Sequence, residues 1–177
     1  VSQPQYYKTY LGAAIKNMVA NNVQKDHVRF ISGDILTGDK IAADGHVGAF
    51  HQQVTVVEEG DDYEFLGWMM PSYARPSVSR TFTSFMKPNK EYDVNTNTHG
   101  EHRAFVLTGA YEKVTPIDVL PMQLLKAILY RDFDLMEGLG IYEVVEEDLA
   151  LCEFICPSKT DVQEILREGL DYMREQA

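Results

Sequence analysis

The sequence predicts an α+β fold in which a β-rich first part is followed by a small C-terminal four-helix bundle. Short β-branched and apolar runs, separated by Gly, Asn and Asp clusters, occupy the chain as far as Val114. From Thr115 onward the apolar residues recur at helical spacing. The length of 177 residues, with 45% hydrophobic and 24% charged residues, is ordinary for a globular protein of one or two domains.

Residues 1–70 are predicted to form one domain that begins with a helix. Ser2-Gln-Pro-Gln5 has the form of a capping box, with proline in the first turn. Apolar residues then recur at helical spacing up to about Val19, which predicts an amphipathic helix. Its apolar stripe consists of Tyr7, Tyr10, Leu11, Ala14 and Met18.

Three further runs in this domain have the composition of strands. Residues 27–32 are β-rich and lead into the turn 33–38, which is bounded by glycines. Residues 47–57 and 63–69 are expected to pair as a hairpin around the turn 59–62. The glycine-bounded turn matches neither the Walker loop nor the dinucleotide fingerprint, so a phosphate-binding role is not favoured.

Residues 71–114 are predicted to be a β-rich connecting region, with short strands at 104–108 and 111–114. A polar stretch at 95–103 is expected to be a surface loop. His99 and His102 lie in this loop and could ligate a metal in principle. Because no third ligand is close to them in the sequence, we favour solvated loop histidines.

The stretch 65–90 is unusual because it holds no acidic residue in a strongly acidic protein. Basic residues alternate there with aromatic and methionine side chains, which are types enriched at the cores of interfaces. The candidate contact residues for a partner or a quinone are Trp68, Met69, Met70, Arg75, Arg80, Phe82 and Phe85. Two interpretations stay open. The segment docks onto a membrane partner, with its basic residues near anionic headgroups or an acidic loop, or its large side chains fill the domain core.

Residues 115–177 are predicted to form the helical bundle. The second helix covers 132–139, the third 146–154, and the last begins near residue 160. The first helix has an apolar face made of Met122, Leu124, Leu125, Ile128 and Leu129. The last helix is lined on one side by Val162, Ile165, Leu166, Leu170 and Met173.

The charge balance limits the classes of function. A net charge of −11 disfavours nucleic-acid binding, since an acidic surface repels phosphate backbones. No apolar run approaches the ~20 residues of a membrane span, and no signal peptide is recognisable. The start at Val1 leads us to expect a piece of a longer polypeptide. Acidic residues are concentrated in 143–177, and they form either a solvated face or an acidic docking patch.

Cys152 and Cys156 are the only cysteines, and their spacing puts both on one face of a helix that Pro157 ends. An iron–sulfur cluster normally takes four thiolates, so the pair is an incomplete cluster-type motif. We therefore expect no metal site on this chain alone. Buried packing is the favoured role, while a redox-active pair and a metal site shared with another subunit stay open. Two cysteines without a signal peptide also indicate a reducing compartment.

The sequence resembles a known family in several stretches that follow one another through nearly the whole chain. The C-terminal stretch is Glu146-Glu-Asp-Leu-Ala-Leu-Cys-x-Phe-x-Cys-Pro-x-Lys159, followed by Leu166-Arg-Glu-x-Leu170. The upstream stretches are Arg29-Phe-Ile-Ser-Gly-Asp-Ile-Leu-Thr-Gly38, His51-Gln-Gln-Val54, Glu64-Phe-Leu-Gly-Trp-Met-Met-Pro71, Ser79-Arg-Thr81 and Gly109-Ala-Tyr-Glu-Lys-Val114. They resemble the C-terminal part of NqrA, one of the subunits of the sodium-translocating NADH:quinone oxidoreductase. That family is similar in turn to the flavin-binding subunit of respiratory complex I.

The resemblance implies a fold and a function. It implies a β-grasp domain of the soluble-ligand-binding (SLBB) type within residues 1–70. It also implies a peripheral subunit of a respiratory enzyme that couples NADH oxidation and quinone reduction to sodium export. The enzyme would lie at the cytoplasmic face of the bacterial inner membrane, with the other Nqr subunits, especially the membrane-embedded NqrB, as partners. This chain would contribute to assembly and contact quinone, with no cofactor and no activity of its own, while the whole complex uses NADH and quinone.

An alternative is a cluster-free docking module from an electron-transfer complex of the RnfC-like type. RnfC-like chains carry full ferredoxin-type cysteine runs, and this sequence has two cysteines only. The first interpretation is therefore favoured.

Overall fold

The computed structural model describes residues 1–87, 89–101, 103–106 and 109–176. The chain divides into two compact units, which comprise residues 1–101 and 102–177. The first unit holds a small sheet and the second is helical, so the predicted α+β class is confirmed. The predicted division into 1–70, 71–114 and 115–177 stays a prediction.

The sheet of the first unit has three antiparallel strands in the order β2-β1-β3. They are β1 (Val28–Ser32), β2 (Asp39–Ile41) and β3 (Val54–Glu58). In the central strand Phe30 lies opposite Ile41 on one side and Val56 on the other. Alternation along the strands places Ile31 and Val57 together on the buried face. The strand predicted at 27–32 is confirmed.

The hairpin predicted between 47–57 and 63–69 is wrong, because β3 pairs with β1 and residues 65–69 form turns. The backbone N–H of Glu59 donates to the carbonyl of His27, which extends the β1–β3 pairing beyond β3. The next N–H, that of Gly60, donates to the hydroxyl of Thr96 at 2.8 Å. The chain therefore leaves the sheet toward Thr96 and does not turn back along β3.

The long N-terminal helix is also wrong, since only α1 (Lys16–Val19) forms. Asn22 bonds with its side chain to the backbone N–H and carbonyl of Gln3, which closes residues 3–22 into a loop. Gly12 adopts a positive φ of 70° inside that loop. Tyr7, Tyr10 and Leu11 of the apolar stripe are exposed, Tyr10 to 92%. A helix of the predicted length is only marginally stable unless its apolar face packs against other parts of the protein.

The β-rich connecting region is corrected in the same way. Within its described residues, 71–114 contains two 3₁₀ turns, Thr83–Met86 and Tyr111–Lys113, and no strand. One isolated bridge joins Asn95 to Glu58. Of the strand predicted at 104–108, residues 104–106 are irregular, and Leu107 and Thr108 lie outside the described residues. Tyr73 and Phe85 of this region are exposed, whereas Phe105 and Tyr111 pack in the core of the helical unit.

The second unit has four α-helices close to the predicted positions, but the first residues of the predicted third helix, Glu146–Leu149, form a 3₁₀ helix. The four α-helices are α2 (Pro121–Tyr130), α3 (Phe133–Gly138), α4 (Ala150–Ile155) and α5 (Val162–Gln176). Pro121 occupies the first turn of α2, and the Asp132 side chain caps α3 by accepting from the N–H of Leu135. No helix among the described residues combines the length and apolar character that crossing a bilayer requires.

One hydrophobic core holds the second unit together. It consists of Tyr111, Met122, Leu124, Leu125, Ala127, Ile128, Met136, Ile141, Val144, Leu149, Cys152, Cys156, Val162, Leu166 and Met173. Gly169 of α5 lies against Ile128 of α2, where a Cβ atom would stand 2.8 Å from Ile128 Cγ1. The absence of a side chain at this position lets the two longest helices approach closely.

Candidate functional site

The two cysteines lie at the centre of the helical unit. Cys152 is in the middle of α4 and Cys156 follows its last residue, and both are free thiols that are almost fully buried. Tyr111, which is 1% exposed, donates from its hydroxyl to Cys156 Sγ at 2.9 Å. Cys152 Sγ lies 3.3 Å from the Thr115 hydroxyl. The two cysteines are therefore buried, as predicted.

The two thiols play opposite roles in their hydrogen bonds. The single proton of the Thr115 hydroxyl goes to the carbonyl of Tyr111 at 2.9 Å. With that proton so placed, a protonated Cys152 thiol has two acceptors within reach, the Thr115 hydroxyl at 3.3 Å and the Tyr111 carbonyl at 3.9 Å. Cys156, in contrast, accepts from the Tyr111 hydroxyl and from the backbone N–H of Thr160. The pair is thus one donor and one acceptor.

The ionisation of the two thiols follows the same division. Burial raises the pKa of Cys152 above its ordinary value. Burial also acts to raise the pKa of Cys156, but hydrogen bonds from Tyr111 and from the backbone of Thr160 and Ser158 outweigh it and leave the pKa lowered. The Tyr111 hydroxyl stays a proton donor, since burial and the bond to Cys156 raise its pKa.

The loop after α4 is also held by contacts with Arg103 and Ala104. Pro157 ends the helix, and its carbonyl accepts from the Arg103 guanidinium. The Ser158 hydroxyl donates to the carbonyl of Ala104 at 2.7 Å. Lys159 adopts a positive φ of 54°, and burial beside Arg103 lowers the pKa of its ammonium group. This loop keeps the N–H of Thr160 pointed at Cys156 Sγ.

The site offers little for holding a metal. In the part of the chain that the structure describes, no three His, Cys, Asp or Glu side chains converge as ligands would. His99 Nδ1 lies 2.9 Å from the carboxylate of Glu64, and His102 lies outside the described residues. The cysteines contact a tyrosine and a threonine, so the arrangement suits packing and hydrogen bonding.

The other candidate residues, between 65 and 90, are mostly at the surface. Trp68, Met69, Met70 and Phe85 are exposed, as is Arg80, and Phe82 is half-buried. Arg75 is the exception. Its guanidinium pairs with the carboxylate of Glu64 and bonds the carbonyl of Gly67. The exposed aromatic and methionine side chains of this segment therefore do not fill a core.

Sequence patterns did not identify Glu64 as the centre of an ion-pair cluster. One carboxylate oxygen pairs with Arg75 and the other lies 2.9 Å from His99 Nδ1, which ties two loops together. The hydrogen bond with His99 and then that with Arg75 lower the pKa of Glu64. These residues are 11 and 35 positions from Glu64, so no local spacing could have indicated the cluster.

Sequence patterns also did not identify the contact of Ser32 with His51, although the stretches 29–38 and 51–54 that hold these residues were noted. Its buried hydroxyl accepts from the N–H of Gly48 at 2.8 Å and lies 2.8 Å from His51 Nδ1. The His51 ring fits against the backbone of Gly33 and Gly48, where a Cβ atom would come within 3.3 and 2.9 Å of it. The glycines near this ring therefore have a packing role in addition to forming turns.

Comparison with known proteins gives the class of this chain. A family model described as the NQRA C-terminal domain matches residues 1–43. Three similar relatives are named as the A-subunit of the Na(+)-translocating NADH-quinone reductase, which is NqrA. The one from Rhodopirellula baltica is 45% identical over 173 residues, which is 96% of this chain and 38% of the relative.

The other two relatives agree. The protein of Shewanella denitrificans is 44% identical over 170 residues, covering 96% of this chain and 38% of its own length. That of Vibrio anguillarum is 40% identical over 177 residues, covering 99% of this chain and 40% of its own length. The chain belongs to the NqrA family of the Na(+)-translocating NADH-quinone reductase. It spans about two fifths of the length of these relatives.

Proposed function

We propose that this chain serves as part of NqrA in a sodium-translocating NADH:quinone reductase, an oxidoreductase and translocase of several subunits. The observation that carries the proposal is 45% identity to an NqrA protein over 96% of this chain. The relatives are all named as this subunit, so the RnfC-like docking module is not favoured. The role of the segment is to assemble with the other Nqr subunits, the membrane-embedded NqrB above all, at the cytoplasmic face of the inner membrane.

The segment works through its surfaces and its fold. Its two cysteines are engaged by Tyr111 and Thr115 inside the core, which supports a packing role. It holds no cofactor of its own, while NADH and quinone are used by the whole complex. The finer architecture that we propose is a β-grasp domain of SLBB type around β1–β3, followed by a four-helix bundle of α2–α5. The similarity of the family to the flavin-binding subunit of complex I supports that architecture.

Quinone contacts this segment at the exposed residues between 65 and 90. Quinone sites combine apolar contact with a few polar groups, and here exposed Trp68, Met69 and Phe85 are accompanied by Arg80. Arg75 holds this part of the chain in place through its ion pair with Glu64. Replacement of Trp68 and Phe85 by alanine in the assembled enzyme is expected to raise the KM for quinone and leave the KM for NADH unchanged. An equal KM for quinone in variant and parent would contradict this assignment.

A segment exchange tests the function itself. The matching part of Vibrio anguillarum NqrA, which aligns with 99% of this chain, is replaced by this sequence in the complete complex. We expect the hybrid subunit to co-purify with the other subunits and to support sodium-dependent reduction of quinone by NADH. A second hybrid also carries Gly169→Ala, which disturbs the contact with Ile128. It is the control that shows the effect of a folding defect on assembly. A folded hybrid that fails to assemble, or an assembled complex without activity, would refute the proposal.

A further inference from the structure

We infer that the segment 65–90 is a contact surface for an anionic lipid bilayer. This inference rests on the proposed function, since it assigns a membrane-facing side to a peripheral subunit. The segment contains no aspartate or glutamate, although the chain as a whole carries a net charge of −11. A basic surface in an acidic protein fits an anionic partner. The rest of the chain is acidic and repels such a partner, so it does not compete with this segment for binding.

The backbone brings the two halves of this segment together. Thr83 donates from its hydroxyl to the carbonyl of Ser72, and Lys90 donates from Nζ to the carbonyl of Tyr73 at 2.6 Å. Lys87 Nζ lies 5.5 Å from the centre of the Tyr73 ring. The segment therefore folds back on itself between Tyr73 and Thr83, so that residues 72–73 form one surface with Thr83, Lys87 and Lys90.

The composition of this surface is that of a membrane-interface element. Six large aromatic and methionine side chains are exposed in 68–73 and 83–87: Trp68, Met69, Met70, Tyr73, Phe85 and Met86. Arg80, Lys87 and Lys90 are exposed in the same segment, whereas Arg75 is engaged by Glu64. Tryptophan and tyrosine prefer the level of the lipid headgroups, and long basic side chains can reach the phosphates while their stems cover apolar surface.

A lipid surface explains both features together better than a protein surface does. A bilayer presents anionic phosphates directly above an apolar layer, so it meets the cations and the methionine and aromatic side chains at once. Each lysine or arginine close to an anionic bilayer contributes about fivefold to partitioning, and an apolar face adds to it. The same orientation would place the proposed quinone-contact residues where a lipid-soluble substrate is dissolved.

Trp68 makes a direct test possible because it is the only tryptophan in the chain. The chain is mixed with phosphatidylcholine vesicles that contain phosphatidylglycerol, and with vesicles of phosphatidylcholine alone. We expect a blue shift of the tryptophan emission and quenching by brominated lipid with the anionic vesicles, both weakened as the ionic strength rises. Co-sedimentation with the vesicles measures the bound fraction.

A pair of matched variants separates charge at this surface from charge elsewhere. Arg80→Gln with Lys87→Gln is expected to lower vesicle partitioning by about 25-fold, at fivefold for each cation. Lys8→Gln with Lys16→Gln removes the same charge from exposed positions outside the segment and is expected to change partitioning little. Equal losses in the two pairs would overturn the inference.

The outcomes also separate this inference from the proposed function. Absence of any spectral shift or co-sedimentation with anionic vesicles at low salt overturns the lipid assignment. If the hybrid subunit in that case still co-purifies with the complex, and the Arg80 and Lys87 pair reduces its co-purification, the surface is a protein contact and the proposed function stands. Vesicle binding without assembly would instead refute the proposed function and leave the lipid surface in place.

Discussion

The hydroxyl of Tyr111 donates to Cys156 Sγ at 2.9 Å, and neither side chain is accessible to solvent by more than 2%. This contact joins the 3₁₀ turn Tyr111–Lys113 to the end of α4. It makes Cys156 a hydrogen-bond acceptor, whereas Cys152, one helical turn earlier, lies 3.3 Å from the Thr115 hydroxyl. The cysteine pair is thus part of the hydrogen-bonding pattern of a hydrophobic core.

Replacement of Cys156 should lower the free energy of unfolding more than replacement of Cys152. Cys156→Ala leaves the buried Tyr111 hydroxyl without a partner, which costs about 1–3 kcal/mol in addition to the lost packing. Cys152→Ala is expected to cost less, because the Thr115 hydroxyl keeps its bond to the carbonyl of Tyr111. Urea unfolding followed by far-UV circular dichroism measures both free energies.

A double variant is the control for this interpretation. Tyr111→Phe removes the hydroxyl that Cys156→Ala leaves unpaired, so the two substitutions together should cost less than the sum of their separate effects. Additive effects would mean that the hydrogen bond contributes nothing beyond packing.

The contact between α2 and α5 is expected to depend on Gly169. Its replacement by alanine puts a methyl group 2.8 Å from Ile128 Cγ1, and overpacking of this kind costs about 1–3 kcal/mol. Gly138→Ala is the matched control, because a Cβ atom at Gly138 would meet nothing within 4 Å. Thermal unfolding should show a lower Tm for the first variant and an equal or higher Tm for the second. A similar decrease in both would contradict the packing described here.

The stability of the first unit is expected to fall in acid through Glu64. The hydrogen bond with His99, followed by that with Arg75, lowers the pKa of this carboxyl in the folded state. Its stabilising contribution is therefore complete above the unfolded pKa of about 4.3 and is lost as the pH falls through the lower folded pKa. Glu64→Gln removes this contribution, so the variant should lose less stability than the parent between about pH 6 and about pH 3.

Trp68 emission reports this unfolding within the first unit, and Glu91→Gln is a control that removes a carboxylate from an exposed position. Part of the acid sensitivity should remain in the Glu64 variant. Hydrogen bonds with Arg29 lower the pKa of Glu59, and backbone N–H groups of Thr37 and Leu36 lower that of Asp34. An unchanged pH dependence in Glu64→Gln would show that the cluster carries no charge-dependent stability.

The sequence predicted the helical unit well because its signals are local. Pro121 at the start of α2, Asp132 as the cap of α3, and apolar residues at helical spacing all act within a few positions. The burial of Cys152 and Cys156 was expected because free cysteine is among the residue types most often buried. Tyr111 as the partner of Cys156 was not expected, since the two are 45 positions apart.

The first unit was predicted poorly because its structure depends on distant contacts. The stripe from Tyr7 to Met18 has helical spacing, but Asn22 closes that stretch into a loop and most of the stripe is exposed. The valines of β3 were recognised as a strand, yet their partner β1 lies upstream and not across the turn that follows. A pattern of residues indicates which element can form, and only the packing partner decides which one does.

Iron analysis is the most direct measurement of whether this scaffold functions without a metal centre. The chain is purified under anaerobic conditions, alone and within the hybrid complex, and iron and the visible spectrum are determined beside a Cys152→Ala and Cys156→Ala variant. We expect no stoichiometric iron in the isolated chain and the same iron content in parent and variant complexes. A stoichiometric iron–sulfur spectrum from the chain alone, or a loss of iron from the variant complex, would contradict this result.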